Sequence, residues 1–89
     1  THPDTGRKGL YVNPGFTDRV VDMEEGESQK LLDTLFSYAT DDAVVYRHRW
    51  NVRDLVFWDN RCLMHHATPY PAHSIRHMNR TTVAGSVPV

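Results

Sequence analysis

The chain has 89 residues, a formal net charge of −1 at pH 7 and 39% hydrophobic residues, so it forms one small domain at most. Its 10 basic and 11 acidic side chains give no broad charged surface, which argues against nucleic acid or an anionic membrane as a partner. Cys62 is the one cysteine, which excludes an internal disulfide and favours a reducing, cytoplasmic compartment.

In chain order, the first expected elements are a short strand and a helix. The β-prone residues 10–13 (LYVN) stop at residues 13–15 (Asn-Pro-Gly), which are a strong turn signal. Apolar residues then recur at helical spacing and predict a helix over about 27–39, whose buried face is Leu31, Leu32, Leu35, Phe36 and Ala39.

The second half of the chain is rich in β-branched and aromatic residues separated by polar turns. This pattern is typical of consecutive strands, and the tight turns favour antiparallel pairing in a sandwich or barrel. We expect five or six strands in all, and a second layer supplied by residues outside this sequence. The later strands are predicted at 44–50, 54–59, 62–68 and 80–86, with turns at 51–53 and 59–61.

The stretch WDNRCLMHHATPYPAHSIRHMNR, from Trp58 to Arg80, holds four of the six histidines and three arginines. Neighbouring residues of a strand point to opposite faces, so His65 and His66 would not both face an internal metal. Arg76 and Arg80 would share one face about 13 Å apart and form two separate anion clamps. The alternative is that these arginines are solvated side chains on the surface of a binding or structural module.

Three motifs occur along the chain, namely HPDTGRKGLYVNPGFTDRVVDM, WDNRCLMHHAT and IRHMNRTTVAG, the last with two arginines four apart. Together they resemble the taurine dioxygenase family, the Fe(II)- and 2-oxoglutarate-dependent oxygenases. WDNRCLMHHAT is similar to the family pattern Trp-Asp-Asn-Arg-x-x-x-His-x-Ala, IRHMNRTTVAG continues it, and the first motif resembles an upstream family segment. The motifs occur in the expected order, and the likeness extends over nearly the whole chain.

The resemblance implies a fold and a role for three residues. The chain would be mainly β with one helix, the C-terminal portion of a double-stranded β-helix (jelly roll, cupin-like), with residues 1–89 a fragment of a single oxygenase domain and no second domain. His65 would be the distal histidine of a two-histidine, one-carboxylate Fe(II) site. Arg76 would bind the far carboxylate of the cosubstrate 2-oxoglutarate, and Arg80 the acidic group of the substrate.

The proximal His-x-Asp of such an iron site has no match in this chain. His2-Pro3-Asp4 has the same spacing, but it belongs to the upstream motif, contains a proline and lies 63 residues before His65. We therefore expect the other two iron ligands to lie outside the 89 residues, which alone would be inactive. A zinc site formed by Cys62, His65 and His66 is disfavoured, because that spacing is unusual for zinc ligands.

The predicted function of the full-length protein follows from the resemblance. It would be a dioxygenase that uses O2 and 2-oxoglutarate to hydroxylate a small sulfonate or carboxylate, such as taurine or an aryloxyalkanoate, with release of succinate and CO2. A homo-oligomer is compatible with this function. The alternative function is a non-catalytic module that binds anions or has a structural role.

Overall fold

In the computed structural model, which describes residues 1–86, one α-helix is the regular element. Residues 87–89, the end of the predicted fragment, lie outside the described residues. The helix, α1, spans Glu25–Ala39 and agrees with the predicted helix over about 27–39. Among residues 1–86, no helix combines the length and the apolar character needed to cross a membrane.

Helix α1 begins and ends at residues that satisfy its free backbone groups. The Glu24 carboxylate accepts hydrogen bonds from the N–H groups of Gly26 and Glu27, at 2.9 and 3.2 Å. Because the helix N-terminus carries partial positive charge, this carboxylate is favourably placed. At the other end the N–H and the side-chain hydroxyl of Thr40 both donate to the Phe36 carbonyl, at 3.0 and 2.8 Å. Local side chains therefore define both ends of the helix.

One face of helix α1 is attached to the segment that precedes it. Leu32 and Ser28 are the two buried residues of the helix, at 2% and 3% exposure. The Ser28 hydroxyl accepts a hydrogen bond from the Val20 N–H at 2.8 Å. This bond pairs a backbone donor that has no strand partner and holds the incoming chain against the first turns of the helix.

The predicted turns are present at all three positions. The Phe16 N–H donates to the Asn13 carbonyl at 3.0 Å, and the Asp54 N–H donates to the Asn51 carbonyl at 3.1 Å. The third turn is closed from Leu63 N–H to the Asp59 carbonyl at 3.0 Å. Each turn forms from contacts between residues three or four apart, so local sequence was sufficient to predict it.

The prediction of a mainly β, jelly-roll fragment is wrong for the residues that the structure describes. None of residues 1–86 is in a β-strand, so the segments 10–13, 44–50, 54–59, 62–68 and 80–86 are not strands. A β-prone segment becomes a strand only when a second segment pairs with its N–H and C=O groups. Here the turns form, but the segments on either side of them do not pair.

The chain is consequently open. Its radius of gyration is 16.3 Å, whereas a compact domain of this length has about 12 Å. Its accessible surface is 8639 Å², against about 5,400 Å² for a compact protein of the same mass. Large apolar side chains are therefore left in solvent, among them Phe16, Val52, Leu55, Phe57 and Ile75.

The Ser28 hydrogen bond gives the first testable prediction. Replacing Ser28 by Ala leaves the Val20 N–H without its acceptor, so we expect a loss of roughly 1 to 3 kcal/mol in the free energy of unfolding. Urea unfolding of the full-length protein, followed by circular dichroism, measures this loss. Ser37→Ala is the matched control, because the exposed Ser37 hydroxyl donates only within the helix, to the Thr34 carbonyl. Equal losses in the two variants would contradict the assignment.

Candidate functional site

His65 lies on the surface, with its ring against Trp58. The two ring centroids are 4.8 Å apart and the planes are inclined by 47°. Within residues 1–86, no hydrogen bond or ion pair involves either nitrogen of the exposed His65 ring. The imidazole nitrogens are therefore available to a ligand, and Trp58 is the aromatic neighbour of the ring.

Arg76 and Arg80 are both exposed. The Arg76 guanidinium lies over the Tyr70 ring, 5.5 Å from its centroid, and its Nε donates to the Met78 sulfur at 3.0 Å. A cation over an aromatic face is attracted by the ring quadrupole, and the stacking leaves the outer edge of the guanidinium available. No ion pair within residues 1–86 neutralises Arg76 or Arg80.

The three predicted site residues are not joined by direct polar contacts in the described part of the chain. Neither a hydrogen bond nor an ion pair nor an aromatic contact within residues 1–86 joins His65 to Arg76 or Arg80. Their predicted roles in binding iron, 2-oxoglutarate and substrate therefore stay predictions.

The structure instead brings together charged side chains of two motifs. Arg61 and Asp59 form a forked pair, in which Arg61 Nη2 lies 2.7 Å from Asp59 Oδ2 and Arg61 Nε lies 3.0 Å from Asp59 Oδ1. The second amino group of the same guanidinium donates to Ser86 Oγ at 3.3 Å. Arg61 also forms an ion pair with Asp4, at 2.8 Å. We call Asp4, Asp59 and Arg61, together with His2, the clasp.

His2 completes the clasp through a defined hydrogen-bonding pattern. Its Nδ1 accepts from the backbone N–H groups of Asp4 and Thr5, at 3.2 and 3.3 Å. Because Nδ1 accepts these two bonds, Nε2 is the nitrogen that donates to Asp59 Oδ2, at 3.2 Å. Both nitrogens of His2 are thus engaged.

One group of three possible metal ligands exists in the described residues, namely His2, Asp59 and Cys62, with ligand atoms within 4.8 Å of one another. Its chemistry does not suit a cation. Both His2 nitrogens are engaged, and the Arg61 guanidinium already neutralises the Asp59 carboxylate. The group is better described as a structural contact than as a metal site.

The clasp shifts the acidity of its charged members. Hydrogen bonds from the side chain and backbone of Arg61 hold the pKa of Asp59 well below its usual range. The bond to Asp59 raises the pKa of Arg61 above its ordinary value. A second carboxylate behaves similarly, because the N–H of Asn51 and the ring of His48 lower the pKa of Asp54. Asp59 and Arg61 therefore both carry their charges at neutral pH.

Sequence reasoning placed the members of the clasp in separate elements and missed the contact between them. Residues 59–61 were predicted to form a turn, and the structure has this turn. His2 was assigned to the upstream motif and was not expected to bind iron. However, Asp59 follows His2 by 57 positions in the sequence, and no periodicity links positions so far apart. The available signal was that both segments carry family motifs.

Comparison with known proteins shows the class to which this chain belongs. Residues 1–82 match the family described as "Taurine catabolism dioxygenase TauD, TfdA family". The chain is a member of this TauD/TfdA family, as its motifs predicted. No solved structure gives a significant match.

Three of the similar proteins are named for 2-oxoglutarate-dependent dioxygenases. The chain is 42% identical over 82 residues to the alpha-ketoglutarate-dependent 2,4-dichlorophenoxyacetate dioxygenase of Cupriavidus pinatubonensis, covering 92% of this chain and 28% of that protein. It is 39% identical over 84 residues to the (S)-phenoxypropionate/alpha-ketoglutarate-dioxygenase of Sphingobium herbicidovorans, and the match covers 94% of this chain and 29% of that protein. It is 36% identical over 89 residues to a putative alpha-ketoglutarate-dependent sulfonate dioxygenase of Schizosaccharomyces pombe, and the match covers 99% of this chain and 23% of that protein. The chain thus spans about a quarter of the length of these relatives.

The depressed pKa of Asp59 predicts how the clasp responds to pH. A carboxyl group with a lowered folded-state pKa stabilises the fold above its unfolded pKa, near 3.8, and this stabilisation is lost as the pH falls further. We expect Asp59→Asn to unfold at lower urea concentration than the parent protein at pH 6, and the difference to shrink below about pH 4.

The control for this experiment is Asp42→Asn. Asp42 pairs with Arg47, but both side chains of this pair are well exposed, so its loss should have little effect at any pH. A constant difference between the Asp59 variant and the parent from pH 3 to pH 7 would show that ionisation of Asp59 does not stabilise the fold.

Proposed function

We propose that the full-length protein is an Fe(II)- and 2-oxoglutarate-dependent dioxygenase that hydroxylates a small sulfonate or carboxylate, such as taurine or an aryloxyalkanoate. The observation that carries the proposal is the family match over residues 1–82, which contains His65, Arg76 and Arg80. Relatives named for 2-oxoglutarate-dependent oxidation of phenoxyalkanoates and of sulfonates support this substrate range. We place the enzyme in the cytoplasm, with O2 as the second cosubstrate.

His65 is the residue of this chain that fits iron. A neutral imidazole without a hydrogen-bonded partner is a suitable ligand for Fe(II), and a single histidine leaves most coordination positions to other groups. No group of three possible ligands in residues 1–86 includes His65, so the proposal requires further ligands from the rest of the protein. When bound, iron would activate O2 with 2-oxoglutarate as the co-reductant, so that one oxygen atom ends in succinate, the other ends in the hydroxylated substrate, and CO2 is released.

The two arginines are proposed to hold two different anions. Arg76 presents a planar guanidinium oriented by the Tyr70 ring, and such a fork matches the two oxygens of a carboxylate. We assign it to the carboxylate of 2-oxoglutarate that lies away from the metal. Arg80, four residues further along, is assigned to the sulfonate or carboxylate of the substrate. Fixing both molecules by their charged ends would orient the reacting C–H bond.

A second candidate function is a non-catalytic module that binds anions at its surface. The observation in its favour is the exposure of His65, Arg76 and Arg80, with no contact within residues 1–86 that unites them. The two functions differ in one measurement. The enzyme converts 2-oxoglutarate to succinate in the presence of Fe(II) and O2, whereas a binding module does not.

The assignment of Arg76 predicts a selective defect. In the full-length protein, Arg76→Gln should raise the KM for 2-oxoglutarate by about tenfold or more, because a charge-assisted, two-pronged contact is replaced by a neutral one. The KM for the organic substrate should change much less. Steady-state succinate formation measures both, and Arg49→Gln serves as the control at an exposed arginine. Equal increases in the two KM values would contradict the assignment.

The assignment of Arg80 predicts the opposite pattern. Arg80→Gln should raise the KM for the substrate by about tenfold, while conversion of 2-oxoglutarate without substrate oxidation persists. The measurement is the ratio of succinate formed to substrate hydroxylated, which we expect to rise above that of the parent protein. An unchanged substrate KM would remove Arg80 from the substrate site.

A further inference from the structure

The turn at residues 59–62 connects the clasp to the candidate iron ligand. Asp59 and Arg61 fix this turn to Asp4 and His2 at the start of the chain. A further bond, from Arg61 to Ser86, ties the same turn to the end of the described chain. The turn is therefore held from two sides, by residues that are distant in sequence.

Trp58 is the residue through which this turn reaches His65. Its indole N–H donates to Asn60 Oδ1 at 2.8 Å, so the ring is bonded to the turn itself. The same ring lies against His65, with 4.8 Å between the ring centroids and 47° between the planes. The indole is therefore bonded to the turn and in contact with the imidazole, and it links the two.

We propose that Arg61 and Trp58 are positioning residues for His65, with Arg61 holding the turn and Trp58 holding the imidazole. This inference rests on the proposed function, because it takes His65 as an iron ligand. A ligand that must be ordered when the metal arrives binds it more weakly, since part of the binding free energy is used to restrict the side chain. Loss of either contact should therefore weaken iron binding without removing a ligand atom.

The test measures Fe(II) affinity rather than turnover. In the full-length protein, under anaerobic conditions and without substrate, the Kd for Fe(II) is obtained by competition with a chelator. We expect Arg61→Gln and Trp58→Phe each to raise this Kd about tenfold. Trp58→Phe keeps an aromatic face but removes the bond to Asn60, so it tests the same route without disturbing the charges of the clasp. With iron at saturating concentration, the KM for 2-oxoglutarate should stay at its parent value.

Two further variants separate the possible failures. Arg47→Gln, which breaks the exposed ion pair with Asp42, should leave the Kd for Fe(II) unchanged. His65→Ala should abolish iron binding. If it does, while Arg61→Gln and Trp58→Phe both bind iron as the parent does, the positioning role is refuted and the proposed function stands. If His65→Ala keeps the parent affinity, the assignment of iron to His65 fails, and the positioning role fails with it.

A purely structural role of the clasp would also give a different result. Arg61→Gln would then lower the urea midpoint and leave the Kd for Fe(II) at the parent value in the folded protein. Should Arg61→Gln fail to fold, Trp58→Phe decides alone, because an unchanged Kd in that variant overturns the proposal. Partial recovery of the Kd in Arg61→Lys, which restores the charge without the fork, would support the positioning role.

Discussion

The forked pair of Arg61 and Asp59 is the interaction on which the long-range organisation of this chain depends. Exposed ion pairs contribute little as a rule, because water screens them and two side chains lose freedom. This pair differs in three respects. It is forked, it is partly buried, and the same guanidinium bonds Asp4 and Ser86 as well. One side chain therefore connects three parts of the chain that no β-ladder joins within residues 1–86.

The importance of this pair follows from how little else is buried. Leu32 is the one buried hydrophobic residue among those described, and large apolar side chains along the rest of the chain face solvent. Apolar burial is normally the largest favourable contribution to folding. Instead of a large apolar core, this chain has a helix capped by local side chains, three local turns and the clasp. The chain spans about a quarter of the length of its relatives. Most of its apolar side chains are exposed rather than packed in a core.

The clasp also gives a physical meaning to the family motifs. His2 and Asp4 belong to the upstream motif, and Asp59 and Arg61 belong to the central one. Their charges and hydrogen bonds meet in the structure, next to a tryptophan that contacts the candidate iron ligand. Thus the motif residues that carry no proposed chemistry have a role in holding those that do. His2 has both of its nitrogens engaged, Nε2 by Asp59 and Nδ1 by the backbone N–H groups of Asp4 and Thr5.

By itself the sequence determined the family, the helix and the three turns. Helix α1 and the turns at Asn13, Asn51 and Asp59 depend on residues at most four positions apart, so local pattern was enough to predict them. The sequence also singled out His65, Arg76 and Arg80, whose roles come from resemblance and stay predictions. Only the tertiary structure decided two further points, namely that the β-prone segments do not pair and that His2 meets Asp59. Both points concern contacts between segments, and whether such a contact forms depends on which partner is available in space rather than on the preference of either segment.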